Sequence, residues 1–318
     1  MFLQIILLLT GLALIIFGAD SLVEGASSVA RRFGLSEFVI GLTIVGMGTS
    51  APEMVVSFIG AIQGKSDIAI GNVAGSNIMN TLLILGVTSL IFPIAVTPSN
   101  RKRDIPVNIF ITVLFIVLGL NKTLFGLGTT DGLSRIDGGI LLAFFIAYMV
   151  ISFMNGKPQE EESPGKKRNI WLSLLMIAGG LAGLVAGGNL FVNNATEIAR
   201  ALGWSDKFIA ITILAGGTSM PELATCVVAA AKKKGLLALG NIIGSNVFNI
   251  LLILGGSALI HPLSFQGMGL VDMGVLLVSA LVLLTAMIVY RRNEIDRVDG
   301  SLYLLIWGAY MFYLIHNL

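Results

Sequence analysis

The sequence predicts an all-α integral membrane protein, built from ten transmembrane helices that form two inverted five-helix repeats. The first observation behind this prediction is composition: 55% of the 318 residues are hydrophobic and 12% are charged, whereas soluble domains carry about 25% charged residues. The second is a series of apolar runs, each long enough to cross a bilayer. The third is a pair of motifs that recur in one register, 169 residues apart. Internal repeats of this kind are common in membrane transporters.

The apolar runs and the polar residues between them delimit ten helices. They span residues 2–30, 36–62, 69–92, 105–120, 137–154, 170–199, 205–231, 238–260, 270–290 and 299–316. The first run has no basic leader and no small-residue cleavage site, so we interpret it as a retained helix and not as a signal peptide. The last helix of each repeat opens on an aspartate, Asp137 or Asp299, which suits an N-cap position.

One long polar interruption divides the chain. Asn155–Asn169 contains three consecutive glutamates and three consecutive basic residues, and it is too short and too charged to form a domain. This composition predicts a disordered linker. We therefore expect a first repeat at residues 1–154, a linker at residues 155–169 and a second repeat at residues 170–318.

Lysine and arginine predict the orientation of the chain. The loops after the odd-numbered helices hold 15 of these residues, and the opposite loops hold five. By the positive-inside rule, the linker lies in the cytoplasm and both termini lie outside. Because each repeat has five helices, an odd number, the second repeat is inverted in the membrane relative to the first. The run Lys232–Lys234 then needs no explanation beyond topology, and we assign it no binding role.

Two acidic residues occupy the predicted cytoplasmic end of the first helix. Asp20 and Glu24 are one helical turn apart, where the second repeat has neutral asparagines. Two interpretations stay open. The pair forms an acidic vestibule that attracts cations, or its carboxylates are interfacial and pair with Arg31 or Arg32.

The first repeated motif places one glutamate inside each of two hydrophobic runs. Gly48–Glu53 reads GTSAPE, and Gly217–Glu222 reads GTSMPE. An ionised carboxylate in hydrocarbon is costly without compensation, which makes each glutamate a candidate functional residue. The proline before each glutamate has no N–H, so the carbonyl four residues earlier loses its helical partner. Such carbonyl oxygens are ligands that suit Na⁺ and Ca²⁺.

The second repeated motif adds neutral oxygen atoms. Gly71–Asn80 reads GNVAGSNIMN, and Gly240–Asn249 reads GNIIGSNVFN. Its serine and its last asparagine are four residues apart and share a helix face. Its glycines, spaced by four, predict close helix packing. For Asn77 and Asn246, a ligand role and an interhelical hydrogen bond both stay open.

The candidate ligands narrow the class of function. They include no sulfur and no imidazole, and the single Cys226 and the separated His261 and His316 match no zinc or copper site. The net charge of +2 gives no support for a nucleic-acid partner. No nucleophile is paired with a base, which argues against an enzyme. The two motif glutamates give a formal charge of −2, which one Ca²⁺ or two Na⁺ neutralise and a third Na⁺ exceeds modestly. An inverted repeat with such a charge-balanced site favours alternating access over an open channel.

The paired G-T-S-x-P-E and G-N-x-x-G-S-N-x-x-N motifs resemble the alpha repeats of the sodium/calcium exchanger family, in its compact prokaryotic form. The resemblance implies Na⁺-driven Ca²⁺ export by alternating access in an inner or plasma membrane. It implies that the second, third, seventh and eighth helices form the site and that the first and sixth slide as a gating pair. We further expect a functional monomer, with no cofactor.

The resemblance also implies a set of metal ligands by motif position. These are the side chains of Thr49, Ser50, Glu53, Ser76, Asn80, Thr218, Ser219, Glu222, Ser245 and Asn249, with the backbone carbonyls of Gly46 and Ala215.

Two motif positions bear on the coupling ion. Asn249 is neutral where potassium-dependent exchangers have aspartate, which predicts potassium independence. Proton/calcium exchangers carry a glutamate where this sequence has Gly75 and Gly244. The resemblance therefore favours electrogenic exchange of three Na⁺ for one Ca²⁺, and H⁺/Ca²⁺ exchange is the alternative.

Overall fold

The computed structural model describes residues 1–126, 130–154, 168–203, 215–265, 269–285 and 293–317. Where both ends are described, most helices agree with the predicted boundaries to within about three residues. The fourth differs, because a π-helical turn at Asn100–Asp104 runs directly into its predicted start. The predicted linker falls almost entirely outside the described residues, as do the start of the seventh predicted helix and the end of the ninth.

The helices are numbered here in chain order. They are α1 Phe2–Phe33, α2 Glu37–Thr49, α3 Ala51–Ile62, α4 Ser66–Ile91, α5 Ile105–Gly119, α6 Asn121–Phe125, α7 Arg135–Met154, α8 Ile170–Ala201, α9 Ala215–Gly217, α10 Met220–Ala231, α11 Gly235–Ile260, α12 Leu270–Leu284 and α13 Arg297–Asn317. Of these described helices, six are long and apolar enough to cross a membrane, and the bent pair α2 and α3 gives a seventh span.

The second predicted helix is broken, and this corrects the expectation of one helix with a proline in its middle. The axis bends by 49° between α2 and α3. Ser50, at the break, leaves helical geometry with φ −83° and ψ 8°. Pro52 therefore lies in the first turn of a new helix, where a missing N–H breaks no hydrogen bond. Ser219 repeats this geometry with φ −88° and ψ 7°, just before α10.

Wide helical turns interrupt the motif helices. π-helical turns occur at Met79–Ile84 in α4 and at Phe248–Leu254 in α11, in equivalent positions of the two repeats. A third lies at Gly41–Val45 in α2. Such turns are frequent at functional sites, because they rotate the side chains that follow them. Asn80 and Asn249 lie within the first two.

The aspartates near the start of α7 and α13 are the third residues of these helices and do not occupy the N-cap position. Ser134 donates its backbone N–H to Asp137 Oδ2 at 2.8 Å. Asp296 likewise donates its backbone N–H to Asp299 Oδ2 at 3.1 Å, and Asp296 Oδ1 accepts from the N–H of Asp299 at 3.2 Å. These are capping boxes, in which the third helical residue reaches back to the cap.

Glycines bring α1 and α8 into close antiparallel contact. A Cβ atom on Gly18 would lie 2.8 Å from the carbonyl oxygen of Gly180, and one on Gly11 would lie 2.8 Å from that of Gly187. The two long helices thus pack backbone against backbone.

The motif glycines of α11 pack as predicted. Cβ atoms on Gly240 and Gly244 would lie 2.2 Å from the carbonyl oxygens of Phe38 and Leu42 in α2. By the 169-residue repeat, residues 207 and 211 correspond to Phe38 and Leu42. Both lie outside the described residues, so the packing predicted for Gly71 and Gly75 stays a prediction.

Two short antiparallel strand pairs join the halves. Ile94–Ala95 pairs with Glu294–Ile295, and Gly132–Leu133 pairs with Leu263–Ser264. In the first pair, the strand after α4 contacts the strand just before α13. In the second pair, the strand after α11 contacts the strand just before α7.

Candidate cation-binding site

The two motif glutamates are fully buried. Glu53 and Glu222 each have 0% exposed surface, and each lies in the first turn of the helix that follows a break. The N-terminus of a helix carries partial positive charge from its unpaired N–H groups, which favours an anion there. The breaks therefore explain how two carboxylates are accommodated inside an apolar bundle.

Each glutamate accepts a hydrogen bond from the motif serine of the other repeat. Ser50 donates to Glu222 Oε1 at 2.9 Å, and Ser219 donates to Glu53 Oε1 at 3.3 Å. These contacts cross the pseudo-twofold axis that relates the halves. The two copies of the first motif therefore form one site at the interface between the repeats.

The second motif closes the site from α4 and α11. The Ser76 hydroxyl lies 3.4 Å from Glu53 Oε1 and 3.1 Å from the Ser219 hydroxyl. Asn249 donates to Ser76 Oγ at 3.3 Å. Ser245 donates to the carbonyl oxygen of Gly46 at 3.4 Å, which places both beside Thr49.

Asn77 and Asn246 form interhelical hydrogen bonds. Asn80 donates through Nδ2 to Asn246 Oδ1 at 3.2 Å, and Asn249 donates through Nδ2 to Asn77 Oδ1 at 2.9 Å. The two bonds are related by the repeat. They occupy the nitrogen of each terminal asparagine, so its oxygen is free to point elsewhere.

Four buried oxygen atoms of the site have no hydrogen-bond partner among the residues that the structure describes. They are Glu53 Oε2, Glu222 Oε2, Asn80 Oδ1 and Asn249 Oδ1. An unpaired buried acceptor costs about 1–3 kcal/mol, so four together require compensation. Carboxylate and amide oxygens are ligands of Ca²⁺ and Na⁺. These four atoms are therefore candidate ligands for a cation.

Two predicted ligands lie in the short segment that precedes α10. Thr218 is half-buried and lines a cavity of about 370 Å³ beside the prolines that precede the glutamates. Ala215 begins the short helix α9, and only its backbone is described. The other ten predicted positions are near one another.

Sequence reasoning missed two residues, the asparagines that follow the first glycine of each second motif. Asn72 donates to the carbonyl oxygen of Glu53 and to Ser57 Oγ, both at 3.0 Å. Asn241 accepts from Thr49 Oγ1 at 3.1 Å and donates to Cys226 Sγ at 3.2 Å. Their recurrence at the 169-residue offset was the available signal.

The acidic residues of α1 pair with lysines and not with the arginines that the sequence suggested. Lys232 lies 2.7 Å from Asp20 and 3.1 Å from Glu24, and Lys234 lies 3.0 Å from Glu24. Burial lowers the pKa of Lys232, but hydrogen bonds to Asp20 and Glu24 outweigh it and hold that pKa above its usual value.

Further ion pairs complete this group of charges. They change the expected partner of Arg31 and the role of the lysine run. Arg168 lies 3.6 Å from Glu24, whereas Arg31 pairs with Glu37 at 3.7 Å. The lysine run therefore anchors α1 as well as reflecting topology. We call Asp20, Glu24, Lys232, Lys234 and Arg168 the ion-pair cluster.

Known proteins resemble this chain over nearly its whole length. The family model for the sodium/calcium exchanger protein matches residues 3–154 and 172–316. The putative antiporter CaxA of Alkalimonas amylolytica is 38% identical over 97% of this chain and 98% of its own length. The sodium/calcium exchanger MaX1 of Methanosarcina acetivorans is 34% identical over 96% of this chain and 97% of its own.

A solved structure has the same fold. The sodium-calcium exchanger NCX_Mj, soaked with zero Na⁺ and Ca²⁺, superposes with a TM-score of 0.84 at 35% identity. The superposition covers 98% of this chain and 99% of that one.

Proposed function

The chain belongs to the sodium/calcium exchanger protein family, and from this premise we propose that it exports Ca²⁺ in exchange for Na⁺ by alternating access. It is a multi-pass membrane transporter that exchanges cations for Ca²⁺, and it is not an enzyme. The predicted architecture of ten helices in two inverted repeats is confirmed. The identity of the coupling ion, the ligands and the stoichiometry belong to the proposal.

The observation that carries the proposal is the set of four unpaired buried oxygens, two carboxylate and two amide. Both repeats contribute one of each. Serine hydroxyls hold the other oxygen of each carboxylate, which leaves Glu53 Oε2 and Glu222 Oε2 for a shared ion. We take the twelve predicted positions as the ligand set, with these four atoms at its centre.

The charge of the site explains why transport is coupled. Two ionised glutamates give −2, which one Ca²⁺ neutralises and which three Na⁺ exceed by one charge. An empty site would carry two uncompensated charges, which is costly inside a membrane. The loaded forms therefore change access readily and the empty form does not. This difference suppresses leak and enforces exchange.

The energetics allow export against a steep gradient. A tenfold Na⁺ gradient supplies about 1.4 kcal/mol per ion, and one net charge adds about 2.3 kcal/mol per 100 mV. Three ions and that charge together supply roughly 6.5 kcal/mol, which balances a Ca²⁺ gradient of four to five orders of magnitude.

The proposed arrangement in the membrane follows the charge asymmetry. The linker at residues 155–169 lies in the cytoplasm, both termini lie outside, and the protein acts as a monomer in an inner or plasma membrane. The repeats are residues 1–154 and 170–318. The ion-pair cluster supports this arrangement, because three segments predicted to be cytoplasmic meet there: the end of α1, the start of α8 and the turn after α10.

The test is uptake of radioactive Ca²⁺ into proteoliposomes that contain the purified protein. Uptake should require internal Na⁺ and should not occur in vesicles loaded with K⁺. A pH jump without Na⁺ is the second comparison. Uptake driven by the pH jump alone would replace the proposal with H⁺/Ca²⁺ exchange, and uptake indifferent to any counter-ion would indicate a channel.

A further inference from the structure

Asn241 accepts a hydrogen bond from Thr49, one of the proposed ligands. Its side chain is fully buried in α11, and its Oδ1 accepts the hydroxyl proton of Thr49 at 3.1 Å. Thr49 is also fully buried. The carbonyl oxygen of Gly46 lies 3.4 Å from the same hydroxyl, and the carboxylate of Glu222 also interacts with it.

The direction of this hydrogen bond determines what Thr49 can do. A hydroxyl has one proton and two lone pairs. It can bind a cation only if the proton points away from the ion. Donation to Asn241 achieves this, and it also spares the Gly46 carbonyl, which is itself a proposed ligand and already accepts from Ser245 at 3.4 Å.

Cys226 sets the orientation of the Asn241 amide. Asn241 Nδ2 donates to Cys226 Sγ at 3.2 Å, and the thiol in turn lies 3.7 Å from the carbonyl oxygen of Ala238. With its nitrogen engaged on this side, the amide presents its oxygen to Thr49. A rotated amide would present N–H groups to Thr49 and occupy the lone pairs that a cation needs.

The equivalent asparagine of the other repeat has a different role. Asn72 donates to Ser57 Oγ, the counterpart of Cys226, and its second contact is the backbone carbonyl of Glu53 and not a ligand hydroxyl. Asn72 is half-buried, whereas Asn241 is fully buried. Among the described residues, therefore, the hydrogen bond from a ligand threonine to an asparagine occurs at Thr49.

We propose that Asn241 is a positioning residue that turns the Thr49 hydroxyl proton away from the ion and thereby raises the affinity of the site for Ca²⁺. This inference rests on the proposed function, because it takes Thr49 as a ligand. It assigns Asn241 no contact with the ion itself.

A double-mutant cycle tests the proposal. Asn241→Leu removes the acceptor with little change of volume. It should raise the Ca²⁺ concentration for half-maximal uptake roughly tenfold, the size expected for one buried hydrogen bond, while the maximal rate changes less. In a Thr49→Val background, the same change should have an effect of less than about twofold, because coupled residues are not additive.

The matched control is the same cycle in the other repeat. Asn72→Leu and Thr218→Val should combine additively, since Asn72 directs its hydrogen bonds to Ser57 and Glu53. A cycle that is equally non-additive in both repeats would indicate a general packing effect and would overturn the proposal.

Substitutions at Cys226 test the amide orientation without altering Asn241, which guards against misfolding of the leucine variant. Cys226→Ser keeps an acceptor for Asn241 Nδ2, as Ser57 does for Asn72, and should retain Ca²⁺ affinity. Cys226→Ala removes that acceptor and should weaken Ca²⁺ affinity several-fold.

The outcomes separate this proposal from the proposed function. If the unmodified protein exchanges Na⁺ for Ca²⁺ but the Thr49 and Asn241 substitutions are additive, or the serine and alanine variants at Cys226 bind Ca²⁺ equally well, the positioning role is wrong. If the unmodified protein takes up no Ca²⁺ against Na⁺, the proposed function fails first. Equilibrium binding of radioactive Ca²⁺ to the purified protein then still measures the coupling.

Discussion

At the scale of single residues, the site depends on buried groups whose hydrogen bonds are incomplete. Glu53 and Glu222 each have one oxygen that accepts a hydrogen bond from a serine of the other repeat. The second oxygen of each has no partner in the part of the chain that the structure describes. A buried anion in this condition is unfavourable unless a cation binds. Under the proposed function, the same atoms that destabilise the empty site would provide its affinity for a cation.

Replacement of either glutamate should abolish exchange. Glu53→Gln or Glu222→Gln removes one of two charges that compensate Ca²⁺, and uptake into Na⁺-loaded proteoliposomes should fall to background. The matched control is Glu197→Gln, which neutralises an exposed glutamate of α8 and should leave uptake unchanged. Near-normal uptake by either site variant, at equal reconstitution, would show that the substituted glutamate is not an essential Ca²⁺ ligand.

Asn249 should make the transporter independent of potassium. Its side chain is neutral, its nitrogen is held by Asn77 and Ser76, and its oxygen is unpaired. No third carboxylate is present in the ligand set to balance a K⁺ ion. Ca²⁺ uptake should be equal when external K⁺ is replaced by choline at a fixed membrane potential. A strict K⁺ requirement would show that this position does not decide the property.

At the scale of elements, helix breaks and wide turns create the site. The break at Ser50 brings Glu53 to a helix start, and the break at Ser219 does the same for Glu222. The π-helical turns in α4 and α11 contain Asn80 and Asn249. Outside these segments, the long helices α1 and α8 pack through glycines. The ion-pair cluster joins α1 to the turn after α10.

Loss of Lys232 should loosen the attachment of α1 to the turn after α10. Lys232→Gln removes two ion pairs and reproduces Gln63, the residue at the equivalent position of the first repeat. The pairs are partly exposed, so we expect a loss of at most about 1 kcal/mol, seen as a small decrease in melting temperature that high salt abolishes.

The control for this prediction is Lys233→Gln, which makes the same change of charge on an exposed neighbour. An equal decrease in melting temperature for both variants would mean that net charge, and not the ion pairs with Asp20 and Glu24, determines the effect.

At the scale of the whole molecule, the two repeats are equivalent in backbone but not in charge. On the side that carries the ion-pair cluster, α1 bears Asp20 and Glu24. At the equivalent positions of α8 stand Asn189 and Asn193. Alternating access in an inverted repeat exchanges the roles of the two halves. Under the proposed mechanism, we expect this difference in charge to make the two access states unequal in energy.

The topology can be tested at the linker. A Ser163→Cys substitution, in a Cys226→Ser background, should resist membrane-impermeant thiol reagents in intact cells and react after permeabilisation. This follows from the concentration of lysine and arginine on one side. Labelling in intact cells would invert the proposed orientation.

Exchange should be electrogenic. With −2 from the glutamates, the Ca²⁺-loaded site is neutral and a site with three Na⁺ carries about one positive charge. An inside-negative potential should therefore accelerate Ca²⁺ extrusion. Valinomycin and K⁺ gradients set the potential in proteoliposomes. A Ca²⁺ flux that does not change over about 100 mV, worth roughly 2.3 kcal/mol per charge, would contradict three-for-one exchange and favour two Na⁺ per Ca²⁺.

The amino-acid sequence alone determined the class of protein, most helix boundaries and the equivalence of the two halves. These follow from local properties: apolar length, the cost of a buried glutamate, and a fixed 169-residue offset. Glu53 and Glu222 stood out because each is a single carboxylate in a hydrophobic motif. Asn72 and Asn241 did not, since an asparagine in such a motif carries no comparable cost.

Only the tertiary structure decided which side chains meet. In the structure, Ser50 donates a hydrogen bond to Glu222, and Asn77 and Asn246 accept interhelical hydrogen bonds. Asp20 and Glu24 form ion pairs with lysines in the turn after α10. A repeat shows which residues are equivalent, but not how far each helix is rotated about its axis. That rotation is set by packing between segments distant in sequence, through glycine contacts such as Gly244 on Leu42.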